Sequence, residues 1–99
     1  MTTVAPPVRR TKPRAAEPGE GTGKPWKVIV RNDNHNTFDG VAFALARTIP
    51  GVTFDIGMTM ANRIHATGSA IVFRGEKEPA EHYWEQLRDF GLTMAPLST

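Results

Sequence analysis

Between Trp26 and Asp39 the chain changes character twice, and this passage constrains the fold more than any other. Trp26-Lys27-Val28-Ile29-Val30-Arg31 alternates apolar and polar positions and is rich in β-branched residues, the pattern of a half-buried strand. Asn32-Asp33-Asn34-His35-Asn36 follows as five consecutive turn-forming side chains, and Thr37-Phe38-Asp39 then opens a helical pattern. A strand that delivers carbonyl and carboxylate oxygens to a helix entrance, beside an aromatic ring, suits recognition of a small cationic group. Catalysis would need more than this stretch offers.

Beyond it the periodicity resolves into short elements. With the first strand placed at residues 26–32, Phe38, Val41, Ala42, Leu45 and Ile49 recur every three or four residues, an amphipathic helix of about three turns. Asn36 or Thr37 can cap it, Asp39 suits its positive end, and Pro50-Gly51 ends it. Thr53 caps a second helix with Phe54, Ile56, Met60, Ala61 and Ile64 on its apolar stripe, stopped at Gly68 just past His65. Gly57 within that pattern costs about 1 kcal/mol relative to alanine, so this helix must lean on packing. Residues 69–74 read as a strand and Gly75 as a turn. Pro79 fits the first turn of a third helix, with Glu78 and Glu81 at its positive end. Tyr83, Trp84, Leu87 and Phe90 give that helix an apolar face, Gly91 stops it, and residues 92–97 read as a closing strand.

The first quarter of the chain is different. Residues 1–24 hold four of the eight prolines, and their only large apolar side chains are Met1, Val4 and Val8, so the segment is expected to be a flexible, disordered Pro/Arg-rich extension. Its five basic residues against two acidic ones give it a net charge of +3, whereas the remainder, with seven against eight, carries −1. The basic balance therefore belongs to the tail. About 75 residues from Pro25 onward suffice for one small core domain at 25–99.

Several chemistries are set aside by composition. There is no cysteine, hence no disulfide or thiolate chemistry. His35, His65 and His82 lack metal-ligand spacing, and no cofactor motif is readable. No nucleophile–base pair or phosphate-binding loop is readable either, so the chain is not expected to be an enzyme. No apolar run approaches the roughly 20 residues that cross a bilayer, and the first residues lack a secretory apolar stretch. The expectation is a cytoplasmic protein.

The order of elements and three motifs resemble ClpS, the small bacterial adaptor of the Clp protease. The family's first strand ends in Asn-Asp-Asp, matched here by Asn32-Asp33-Asn34. Its second helix ends in an apolar residue, His, two variable residues and Gly, matched by Ile64-His65-Ala66-Thr67-Gly68. Its third helix begins Glu-Val-Ala-Glu, matched by Glu78-Pro79-Ala80-Glu81 at the corresponding distance, and Leu92 matches a leucine that opens its last strand. The likeness runs from Trp26 to about Leu97. It implies an α/β (α+β) sandwich in which a three-stranded antiparallel sheet packs with three helices in the order β-α-α-β-α-β.

The resemblance also implies a function. Such adaptors bind proteins whose first residue is Phe, Tyr, Trp or Leu (N-degrons, in the N-end rule) and deliver them to a Clp AAA+ unfoldase–protease for proteolysis. Position by position, it assigns Asn32, Asp33 and His65 to the α-ammonium group. Asn36, Phe38, Val41, Ala61, Ile64 and Leu92 would form the hydrophobic pocket, and Glu78 a docking contact for a ClpA- or ClpC-type ATPase. The adaptor would act as a monomer. Four positions depart from the family pattern: Asn34 replaces an aspartate, Phe38 a gatekeeping methionine, Ala61 a second pocket methionine, and Tyr83 a docking lysine.

The residue chemistry agrees with that role. An ammonium group offers three donors and needs acceptors around it when partly buried. An amide oxygen at Asn32, a carboxylate at Asp33 (directly or through water) and a neutral imidazole at His65 would supply them. Plainer readings stand beside this one: a turn with a helix cap at 32–36, ordinary core at Phe38, Val41, Ile64 and Leu92, and a helix-start preference at Glu78. A different class of function, a small nucleic-acid- or ribosome-associated domain, would use the basic tail.

Overall fold

The computed structural model describes residues 24–99. The extension assigned to residues 1–24 thus lies, apart from Lys24, outside the described residues. The elements follow the order β1 (Trp26–Arg31), α1 (Phe38–Thr48), α2 (Phe54–Thr67), β2 (Ser69–Gly75), α3 (Lys77–Asp89) and β3 (Thr93–Met94). The three strands form one antiparallel sheet with β1 in the centre, flanked by β2 and β3. Fold class and element order are those expected from the sequence.

The core grows from the alternation in the central strand. Val28 and Val30 of β1 are fully buried, and Ala70 and Val72 of β2 join them. Leu45 of α1 and Leu87 of α3 are the largest side chains wholly inside this cluster, each contributing about 1.5–3 kcal/mol through burial. The register of β1 against β2 shifts between Val28 and Ile29, which pair with Phe73 and Ile71. Val72 therefore faces the core from a bulge.

Caps lie where turn chemistry predicts them. Thr37 and Thr53 accept hydrogen bonds from the Gly40 and Ile56 amides, at 2.9 and 3.2 Å. Gly68 closes α2 with φ at +97°, a left-handed conformation that glycine adopts without a Cβ penalty. Gly57 explains its own cost. A Cβ there would lie 2.7 Å from the Ala42 carbonyl oxygen and 2.9 Å from its Cα, so glycine lets α1 and α2 approach backbone to backbone.

That approach narrows the buried stripe of α2 to Gly57, Ala61 and Ile64. Phe54 and Ile56, expected on the stripe, are exposed. Phe90, expected on the apolar face of α3, caps the helix from outside and meets exposed Phe43 edge to face at 6.2 Å. Gly75 ends β2 rather than making a turn; it pairs with Trp26, and the Phe73 ring fills the space where a Cβ would stand. The helix that follows starts two residues earlier than Pro79, which occupies a first-turn position needing no amide hydrogen. The closing strand shortens to Thr93–Met94. Ala95 still donates to the Ile29 carbonyl at 3.0 Å, but Pro96 has no N–H to continue the ladder, and pairing resumes only at the Lys27–Ser98 bridge.

Candidate functional site

The site is assembled where β1 ends. The Asn32 amide donates to the Gly68 carbonyl at 2.9 Å, while the Gly68 amide donates back into α2 at Ile64. Two backbone hydrogen bonds thereby hold the exit of β1 against the C-terminus of α2, the last turn of which carries His65. Among the described residues, neither the Asn32 side-chain amide nor the His65 ring has a hydrogen-bond partner.

The turn after Asn32 is organised by Asp33. Its Oδ1 accepts from the His35 and Asn36 amides at 3.1 and 2.8 Å. Its Oδ2 accepts from the Asn36 side-chain amide at 2.8 Å and from the Thr93 hydroxyl at 2.7 Å. A carboxylate has about four lone-pair positions, and here each has a donor. Burial pushes this carboxyl up, but the bonds from Asn36, Thr93 and the His35 amide outweigh it and hold the group well below the usual carboxylate range. Asp33 is therefore a fixed negative charge. The negative end of the α2 dipole adds to the same field.

Beside this polar corner lies an open cavity. It is lined by Val30, Arg31, Asn32, Asp33, Asn36, Phe38, Val41, Ala61, Ile64, His65 and Leu92. Val41, Ala61, Ile64 and Leu92 are buried and form an apolar floor; Phe38, 36% exposed, stands over it and meets the His65 ring edge-on at 5.2 Å. Spacing explains the convergence: Phe38 and Val41 lie one turn apart on α1, as Ala61 and Ile64 do on α2.

All nine residues assigned to the ammonium group and pocket thus border one cavity. Asn36 does so as a clamp, its amide nitrogen donating to Asp33 and to the Gly91 carbonyl at 2.9 Å. Glu78, exposed in the first turn of α3, is not among the lining residues. Tyr83 is half-buried and packs edge-on against Phe73 at 4.9 Å. Sequence reasoning missed Val30 and Arg31 in the lining and Thr93 as the fourth donor to Asp33. No sequence signal marks Thr93, because its partner is sixty residues away. Among the described residues, no group of three or more His, Asp or Glu side chains is placed to hold a metal, and no helix is long and apolar enough to cross a membrane.

Comparison with known proteins gives a consistent picture. The sequence model of the family described as ATP-dependent Clp protease adaptor protein ClpS matches residues 22–95. The chain is 54% identical over 72 residues to the ClpS adapter of Nostoc sp., spanning 73% of this chain and 74% of that one. It is 44% identical over 97 residues to the adapter of Thermosynechococcus vestitus, spanning 98% and 97%. Among solved structures, Agrobacterium tumefaciens ClpS2 bound to L-phenylalaninamide superimposes with a TM-score of 0.68 at 26% identity, covering 73% of this chain and 93% of that one.

Proposed function

The chain belongs to the ClpS family of ATP-dependent Clp protease adaptors, and we propose that it captures proteins by a free, bulky hydrophobic first residue and presents them to a Clp AAA+ ATPase. One observation carries this reading. Two polar side chains with no hydrogen-bond partner among the described residues, Asn32 and His65, border the same cavity as an apolar floor made by Val41, Ala61, Ile64 and Leu92. An α-ammonium group and the side chain next to it have that same division of chemistry.

In this mechanism Asn32 accepts through its amide oxygen and His65 through a neutral ring nitrogen. Asp33 acts through its charge, or through a bridging water, because its lone pairs already have donors. Charge-assisted hydrogen bonds contribute about 1.5–3 kcal/mol each, and burial of a Leu or Phe side chain about as much. After the cost of immobilising the peptide, a dissociation constant on the order of micromolar follows, weak enough for onward release. L-Phenylalaninamide, the ligand of the Agrobacterium relative, combines a free α-amine with an aromatic side chain, and its recognition supports the same reading here.

Phe, Tyr, Trp and Leu are the proposed first residues, with aromatic ones favoured because Ala61 leaves room and Phe38 offers a ring. Exposed Glu78 is the proposed contact for a ClpA- or ClpC-type partner. The adaptor would work in the cytoplasm as a monomer without catalysing a reaction. Calorimetry with a Phe-initiated peptide tests the central claim. Binding should be lost when the same peptide carries an acetyl cap, whereas equal affinity for both forms would rule the reading out and return attention to the basic tail.

A further inference from the structure

We propose that Thr93 is a positioning residue for amino-terminal recognition: its hydroxyl, brought in by β3, completes the hydrogen-bond set that fixes the Asp33 carboxylate beside Asn32 and His65. The inference rests on reading the cavity as an amine site. Three of the four donors to Asp33 come from its own turn, namely the His35 amide, the Asn36 amide and the Asn36 side chain. These orient the turn locally and would form wherever the turn forms. The fourth donor is the Thr93 hydroxyl, at 2.7 Å, and it alone ties the carboxylate to the sheet.

The position of Thr93 gives this bond its leverage. Its backbone pairs with Arg31, the residue before Asn32, and its chain neighbour Leu92 forms part of the cavity floor. Strand register, pocket wall and carboxylate therefore meet at one residue. The Asn36 amide, bonded to both Asp33 and the Gly91 carbonyl, braces the same junction from the turn. Without the Thr93 hydroxyl, Oδ2 keeps a single donor and the carboxylate gains freedom to turn away from the cavity toward water. The other charged or titratable groups around it are the His35 ring, 3.8 Å from Oδ1, and Arg31 and His65 along the cavity. None of these replaces a neutral hydroxyl donor at Oδ2.

The test uses the full chain with Thr93→Val, which keeps the shape and removes the donor, and Thr93→Ser, which keeps the donor. Affinity for a Phe-initiated peptide is read by fluorescence anisotropy at pH 7.5, and the Asp33 carboxyl is followed by carbon NMR through an acid titration. Thr93→Val should bind about tenfold more weakly, the scale of one hydrogen bond to a charged group, and its Asp33 midpoint should move up toward the ordinary carboxylate range. Thr93→Ser should stay within about twofold of the native affinity and keep the low midpoint. Native affinity in Thr93→Val, equal loss in both variants, or an unmoved Asp33 midpoint each overturns the proposal. Should the unaltered protein bind acetylated and free peptides alike, the amine-site reading fails first, and the role of Thr93 with it, whatever the titration gives.

Discussion

The rings of Phe38 and His65, both lining the cavity, meet edge-on with centroids 5.2 Å apart and planes inclined by 62°. One ring comes from the first residue of α1 and the other from the last turn of α2. Both rings line the cavity, so their contact sets an imidazole and an aromatic wall side by side within it.

Selectivity should follow from that wall. Phe- and Trp-initiated peptides should bind more tightly than a Leu-initiated one. Phe38→Ala should reduce the difference by about 0.5–1.5 kcal/mol, the value of one aromatic pair. Competition binding with three peptides identical after the first residue measures this; a leucine preference in the unaltered protein would count against it.

Acidity should weaken binding through the imidazole. Only the neutral ring can accept from an ammonium group, and an imidazolium would repel it. Affinity should therefore be lower at pH 5.5 than at pH 7.5. His65→Gln, which retains an acceptor at every pH, should flatten the dependence. Calorimetry at the two pH values decides, and equal affinities in the unaltered protein would remove His65 from the ammonium shell.

Asp33 should link stability to acid conditions. Its folded-state carboxyl titrates below the unfolded one, so its contribution is fully present above the ordinary carboxylate value of about 3.9. It is lost progressively as pH falls below that. Asp33→Asn keeps one acceptor oxygen and turns the other into a donor facing donors. It should cost about 2 kcal/mol at neutral pH. Urea unfolding of both proteins at pH 7 and at low pH should show the gap closing in acid, and a constant gap would contradict the linkage.

Gly57→Ala should destabilise despite alanine's better helix propensity. The new methyl group would sit 2.7 Å from a backbone oxygen of α1, which cannot rotate away. Overpacking of this kind costs about 1–3 kcal/mol, exceeding the propensity gain of about 1 kcal/mol. Thermal unfolding reads the sign directly: a raised melting temperature would mean that α1 and α2 separate at little cost. Because Val41 and Ala61 border the cavity from these two helices, peptide affinity should fall as well.

Much of this architecture was legible in the residue order. The alternation in β1, the threonine caps at Thr37 and Thr53 and the glycine stop at Gly68 are local signals, each acting within a turn or two of its own position. Those signals brought the elements into the correct order, while it was the family resemblance that assigned Asn32, Asp33 and His65 to one site, and all three border the same cavity. The burial of individual apolar residues was less readable. Phe54, Ile56 and Phe90 have the right period yet remain exposed, because the close crossing at Gly57 leaves room for only a narrow stripe on α2 and α3 ends before Phe90.

Residue order alone, then, told which segments are strands and helices and which turn-forming side chains follow β1, though not where α3 begins or how short β3 is. Periodicity, capping and turn chemistry are properties of neighbouring residues, and neighbours are written next to each other. Tertiary structure alone decided that Thr93 supplies the last donor to Asp33, that Asn36 clamps Gly91, and that Phe38 meets His65. Those pairings depend on sheet register and on the distance between two helix axes. Both are settled only when the whole core packs at once, because a change of one residue in register would move the contacts of Thr93 and Gly91, and one methyl group at Gly57 would press on the α1–α2 crossing that sets Phe38 against His65.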